Sequence, residues 1–261
     1  MDHTGTDTRT ADGQTAIGQA AVGQAADGRT ADAATRFYTR MHAQADSVAL
    51  LAAPTPDLSV PRHRYHCVYR HLAANPGLEV CELGVGAPWL LRTLAPLTRS
   101  FDIADIIDCT GGSLPPNARL TLTNLDERFP YPDASFDSVI AMMVIEHLYD
   151  PFFAFAEVAR ICRPGGTVFV NLPNIAALRC RLQLLAGRMP VTSTPVWWDL
   201  RQWDGNHLHH FTVADTVRLA ALNGLGLTGM HPVGRHLWLK RLRPQLFCHE
   251  ISYQFRKTDG A

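Results

Sequence analysis

From residue 78 onward, short apolar runs alternate with stretches of helical spacing. LEVCEL (78–83), SFDIADI (100–106), RLTLTN (119–124), FDSVIAMM (136–143) and GTVFVNL (166–172) read as strands, and 150 to 162 reads as a helix between the last two. Strands alternating with helices predict an α/β fold, a doubly wound and mostly parallel sheet. One connection departs from the pattern. IDCTGGSLPPNA (107–118) is too rich in Gly and Pro for a regular helix and predicts an irregular loop. In the last third, LGLTGMHPV (225–233) and HEISYQFRK (249–257) add two strands, for seven in all. A helix starts near Thr212 or Val213, with Thr212 as N-cap and Asp215 at the third helical position.

Upstream, the pattern is different. Residues 1–32 are built from Gly, Ala, Thr, Gln and Asp in a loose repeat (TADGQTAIGQ, AAVGQ, AADGRTADAA), too polar to offset their ordering entropy, and read as a disordered tail. Residues 34–53 have helical spacing, and after the break PTPDLSVP a second helix is expected over RHRYHCVYRHLAAN (62–75). The organisation expected is therefore a tail (1–32), N-terminal helices (33–76) and a main domain (77–261) carrying a cap over 175–212.

Composition narrows the function. Lys and Arg total 24 and Asp and Glu total 24, a balance that argues against a phosphate-tracking nucleic-acid surface. Arg235, Lys240, Arg241 and Arg243 form the one basic cluster, explained as well by a solvated strand edge. The six cysteines form no C-x-x-C pair and suit a reducing compartment. No run approaches the roughly 18–20 apolar residues of a membrane helix, and the N-terminus lacks an apolar signal core. A cytoplasmic protein is expected, with no nucleic-acid or membrane partner and with a homo-oligomer allowed for.

The chemistry centres on CELGVGAPW (81–89). A Gly-x-Gly pair between strand and helix lets the backbone turn tightly and lets a ligand approach its N–H groups. A dinucleotide fingerprint would place a third glycine at 89, where Trp89 stands instead. Glu82, two residues before Gly84, puts a carboxylate at the strand's end, where it suits a ligand bearing an ammonium group.

Four segments in order, LEVCELGVG, FDIADI, NLDERFPYPDASFDSVIAMMVIEHLYDP and ICRPGGTVFVNLPN, resemble the class I S-adenosylmethionine-dependent methyltransferases, in the branch of small-molecule and ubiquinone-type enzymes, over about residues 78–174. The resemblance implies S-adenosyl-L-methionine as cofactor. It assigns Glu82, Gly84 and Gly86 to the methionine and ribose portions and a strand-end acid to the ribose hydroxyls. Asp105, 105 − 82 = 23 residues after Glu82, is preferred over its neighbours Asp102 and Asp108. Asn124 stands where the family usually has an Asp accepting from the adenine amino group, which an amide carbonyl also does. Leu125 would offer its backbone N–H to the adenine ring, and Met142 lies near the cofactor-facing end of its strand, although core packing explains it most economically. Pro88 replaces a frequent third glycine, a change tolerated in a first helical turn.

On the acceptor side, His147 in EHL and His210 are the candidate catalytic bases, while His207, Trp198 and Trp203 are candidate acceptor contacts; a structural hydrogen bond is an equally good account of His147. The run NHLHHFT also resembles a metal site, but no carboxylate or thiolate cluster accompanies it in the sequence, so no metal is expected. The reading is methyl transfer to a small molecule, at an oxygen of a sugar or secondary metabolite. The rivals are methylation of RNA or protein, a non-catalytic scaffold of the same fold, and, least favoured, an NAD-linked enzyme.

Overall fold

The computed structural model describes residues 56–84, 88–108, 110, 112, 114–193 and 203–258. The expected tail, the helix at 34–53, Gly86, Trp197 and Trp198 lie outside the described residues.

In chain order the elements are α1 (His66–Ala74), β1 (Glu79–Leu83), α2 (Pro88–Leu94), β2 (Ser100–Asp105), β3 (Ala118–Leu122), β4 (Phe136–Met142), α3 (Pro151–Ile161), β5 (Cys162–Pro173), α4 (Leu178–Leu185), α5 (Val213–Leu222), β6 (Leu225–Pro232), α6 (Leu237–Leu242), α7 (Pro244–Phe247) and β7 (Glu250–Lys257). All seven expected strands form. They make one sheet in the order β3-β2-β1-β4-β5-β7-β6, with β1 to β5 paired in parallel and β7 antiparallel to both its neighbours. The described residues between β2 and β3 contain no helix, as the Gly- and Pro-rich sequence predicts.

Both faces of the sheet are covered because successive strand residues point to opposite sides. Val80, Ile103, Ile140 and Phe169 pack with Val68 and Leu72 of α1 and with Leu90, Leu91 and Leu94 of α2. Their neighbours Cys81, Ala104, Val139, Val168 and Val170 pack with Phe155 and Val158 of α3 and with Leu219 and Ala220 of α5. Helix α3 starts where Asp150 accepts from the N–H groups of Phe152 (2.8 Å) and Phe153 (3.1 Å), with Pro151 inside the first turn. At the sheet's other end Arg163 joins Asp137 (2.7 Å) and Glu79, which gives Asp137 a structural role.

Two expectations need correcting. The helix expected over 62–75 begins only at His66, because residues 62–65 are drawn into long-range contacts: Ser252 donates to the Arg64 carbonyl (2.9 Å), Arg64 pairs with Glu250 (2.9 Å), and Tyr65 reaches Glu82. The basic cluster lies on α6 and its flanks between β6 and β7 rather than on a strand edge. The five described cysteines are unpaired and buried. No helix among the described residues is long and apolar enough to cross a membrane.

Candidate functional site

The strand order reverses between β1 and β4, and the C-terminal ends of parallel strands at such a point form a crevice. Glu82 is the penultimate residue of β1 and, by alternation, faces the α1 side with Val80. It is 1% exposed. One carboxylate oxygen accepts from the Tyr65 hydroxyl at 2.5 Å, while Oε2 has no partner among the described residues. Burial pushes this carboxyl up to about 7, aided by the charge of Asp105 and opposed by the Tyr65 hydrogen bond. A bare buried oxygen costs about 1–3 kcal/mol, a cost that a donor or cation at this oxygen would remove.

Directly after it, Gly84 turns the chain at φ +73°, its N–H donating to the Ala104 carbonyl at 2.8 Å. A Cβ here would lie 2.6 Å from Cγ2 of Val144, so the strand end and the turn after β4 approach as closely as they do only with glycine.

Asp105 ends β2, nearly buried, and accepts from the Ile107 N–H at 3.3 Å. Its neighbours are committed elsewhere: Asp102 to Arg119 (2.8 Å from Nε), Asp108 to Thr110 N–H (2.8 Å) and hydroxyl (2.6 Å). Beyond β3, Asn124 accepts from the Asp126 N–H (3.1 Å), and Leu125 is buried beside it. Met142 packs in the core on the α1 face and could serve a ligand only as apolar floor.

On the far side of Val144, a single 3-10 turn (Ile145–His147) carries Glu146 and His147. Glu146 is 0% exposed, and neither carboxylate oxygen has a hydrogen-bond partner among the described residues. Burial pushes its carboxyl up to about 8. The fold brings His207 to the same place, because the N–H groups of Leu208 and His209 donate to the Glu146 backbone carbonyl at 2.8 and 3.2 Å. The His147 and His207 rings stand 4.8 Å apart, edge to face. Burial, with His147 adding to it, lowers His207 to about 4, which keeps it neutral.

The tautomers follow from the partners. His147 Nδ1 lies 3.1 Å from the Asn206 carbonyl, which only accepts, so Nδ1 carries the proton. His207 Nδ1 lies 2.7 Å from the Thr192 hydroxyl, whose one proton goes to Asp204 at 2.7 Å, so His207 Nδ1 is also the donor. With Nδ1 as the donor, the neutral form of each ring carries its lone pair on Nε2. Asp204 is 2% exposed and accepts also from the N–H groups of Thr192 and Ser193, each at 2.9 Å. Asp204, Gly205 and Asn206 all have positive φ (42°, 66° and 64°), a backbone that glycine adopts freely and that costs the two non-glycine residues, beside His207.

The other residues of the His-rich run stand aside. His210 lies 4.0 Å from Asp204 and outside the His147–His207 pair, and His209 meets the Tyr149 carbonyl at 3.1 Å. Trp203 is 59% exposed. Sequence reasoning missed Tyr65 and Glu146. Glu146 had a signal, its adjacency to His147, whereas nothing local links Tyr65 to Glu82.

A Rossmann-like crevice with an acid and glycine at its first strand end is the architecture of cofactor-binding α/β enzymes. Residues 107–170 match the family model described as a methyltransferase domain. The chain is 35% identical over 115 residues to a probable S-adenosylmethionine-dependent methyltransferase of Mycolicibacterium smegmatis, covering 42% of this chain and 44% of that one. It is 29% identical over 116 residues to a ubiquinone biosynthesis O-methyltransferase of Rhizobium etli, covering 42% and 47%. These alignments span less than half the length of either relative. An S-adenosylmethionine-dependent methyltransferase of Mesorhizobium loti shares the fold with a TM-score of 0.57 at 15% identity, over 77% of this chain and 100% of that one. By fold, and by sequence over the matched segments, the chain is similar to the class I S-adenosylmethionine-dependent methyltransferases.

Proposed function

We propose that the protein transfers the methyl group of S-adenosyl-L-methionine to a small-molecule acceptor, at an oxygen of a sugar or secondary metabolite. The observation that carries the cofactor reading is the bare, buried Oε2 of Glu82 beside the positive-φ Gly84. A carboxylate in that place receives the ammonium group of the methionine portion. Asp105 at the end of β2 receives the ribose hydroxyls, and Asn124 and Leu125 beyond β3 flank the adenine, which lays the ligand across three neighbouring strand ends. The cofactor supplies an electrophilic methyl, and the chain's contribution is to fix its direction and exclude water, since orientation alone lowers such a barrier substantially.

The acceptor side is formed by His147 and His207, reached from Gly84 through Val144, with Trp203 and, from the sequence, Trp198 as candidate acceptor contacts. His147 is the better placed of the two expected bases, because its Nδ1 hydrogen bond leaves the lone pair at Nε2. His210, next to Asp204, orients the loop rather than touching the acceptor.

Calorimetric titration of S-adenosylmethionine, and separately NAD, into purified protein tests this. Saturable binding of the former alone is expected, weakened about 10- to 100-fold by Asp105→Ala through loss of charged hydrogen bonds. Failure of folded protein to bind S-adenosylmethionine would sink the enzyme reading in favour of a scaffold. Binding established, labelled cofactor and a panel of hydroxylated acceptors with RNA and protein controls identifies the acceptor class.

A further inference from the structure

Glu146, His147 and His207 each present one potential ligand atom within 4.8 Å of those of the other two. We propose that this cluster is a binding site for a divalent first-row transition ion, held by one carboxylate and two imidazoles. The proposal concerns the acceptor side of the site read above and replaces the role of His147 there, because a lone pair given to an ion cannot also serve as a base; binding of the ion is tested without reference to methyl transfer.

Three features converge on it. First, the carboxylate is fully buried and neither of its oxygens has a hydrogen-bond partner among the described residues. A buried carboxyl so placed without a partner is strongly disfavoured, and coordination to a cation removes that penalty. Second, each imidazole is anchored through Nδ1, His147 to a backbone carbonyl and His207 to Thr192 and on to Asp204. Anchoring of the distal ring nitrogen is what fixes the tautomer and aim of a metal-bound histidine. Third, the strained run Asp204–Asn206 holds both anchors, because Asp204 ends the relay from His207 and the Asn206 carbonyl holds His147. Strain of this kind persists where surrounding structure over-determines it, commonly at a site.

The ligand set decides the class of ion. Imidazole suits zinc, iron, cobalt or nickel and disfavours magnesium and calcium, which take oxygen donors. Ligand bonds of about 2.0–2.2 Å put two ligand atoms no more than about 4.2 Å apart, so side-chain rotation of less than about 1 Å closes the cluster. Three protein ligands leave further coordination positions open, the arrangement of sites that engage a substrate oxygen rather than of closed structural sites. The sequence concealed the set because its carboxylate sits 61 residues before His207 (207 − 146).

The test is titration of zinc chloride into chelator-treated full-length protein, with magnesium chloride as the parallel arm. One equivalent of zinc is expected to bind saturably, and magnesium is expected not to. Glu146→Gln and His207→Gln should each weaken zinc binding at least about 100-fold, and Thr192→Val, which cuts the relay behind His207, about 10- to 100-fold. Cobalt should give a ligand-field absorption spectrum in the wild-type protein that both ligand variants lose. Thermal melting and S-adenosylmethionine titration of each variant report whether it is folded and whether the cofactor site survives. Absence of one-equivalent zinc binding overturns the proposal, as does zinc affinity unchanged in the folded variants, which would assign the ion to others of the 12 histidines. A protein that binds zinc but not S-adenosylmethionine would refute the proposed function and leave this site standing.

Discussion

At Glu82 a carboxyl group is kept out of water with one oxygen held by Tyr65 and the other bare. Its pKa stands near 7 against an ordinary 4.5, with burial the chief cause, so the folded protein without cofactor holds a proton that the unfolded chain has released between those values. The sign follows. A raised carboxyl favours the folded state most below pH 4.5, and that contribution, about 3 kcal/mol for a shift of this size, is lost as pH rises through 7. The ammonium group of S-adenosylmethionine needs the ionised form, so its affinity is expected to rise between pH 5.5 and 7, with about one proton released on binding at pH 6 and protons taken up instead above about pH 8, where the ligand's own amine has lost its proton. Calorimetry in buffers of different ionisation enthalpy counts those protons; a pH-independent affinity in the wild type, or a slope that survives in Glu82→Gln, would exclude the assignment. The strand-end positions of Glu82 and Asp105 were legible in the sequence because each belongs to a contiguous pattern. Tyr65, 17 residues before Glu82, was not, since its role exists only once α1 lies over β1.

Helix α5 follows immediately on the segment that carries His207. Its first turn is closed reciprocally: the Asp215 N–H donates to the Thr212 hydroxyl (3.3 Å) and the Thr212 N–H to the Asp215 carboxylate (3.2 Å). Just before it, the Ile175 N–H donates to the Phe211 carbonyl at 3.0 Å, which ties the segment to the end of β5. Thr212→Ala removes the cap and is expected to cost about 1 kcal/mol, lowering Tm by about 2–4 °C; an unchanged Tm in differential scanning calorimetry would show that packing of Leu219 and Ala220 alone holds the helix. This cap was visible as T-V-A-D, and the strands were visible as apolar runs bounded by turn residues, because both signals are local. The start of α1 was not, since Arg64 and Tyr65 leave the helical pattern to meet Glu250, Ser252 and Glu82, none of them local in sequence. The short helices α4, α6 and α7 also went unread, being too brief for their periodicity to separate from loop.

Across the molecule, the parallel sheet gathers chemistry that the sequence scatters. Glu82, Asp105, Asn124 and the turn after β4 come from four separate stretches of chain, yet their strands lie side by side as β3-β2-β1-β4, with every C-terminal end on one edge. A ligand spanning that edge contacts groups that are adjacent only in the folded state. It therefore stabilises the folded protein by mass action, by about 2.7 kcal/mol at a concentration one hundred times its Kd. For a chain of this size that is an upward shift in Tm of about 5–11 °C. S-adenosylmethionine should produce it and NAD at the same concentration should not, because Trp89 stands where a dinucleotide turn requires glycine. The shift should shrink in Asp105→Ala, which removes one of the three strand ends from the contact while leaving the sheet intact. Equal shifts with both ligands would mean that each reads only a generic strand-to-helix turn, and an unchanged shift in Asp105→Ala would move the ribose away from β2.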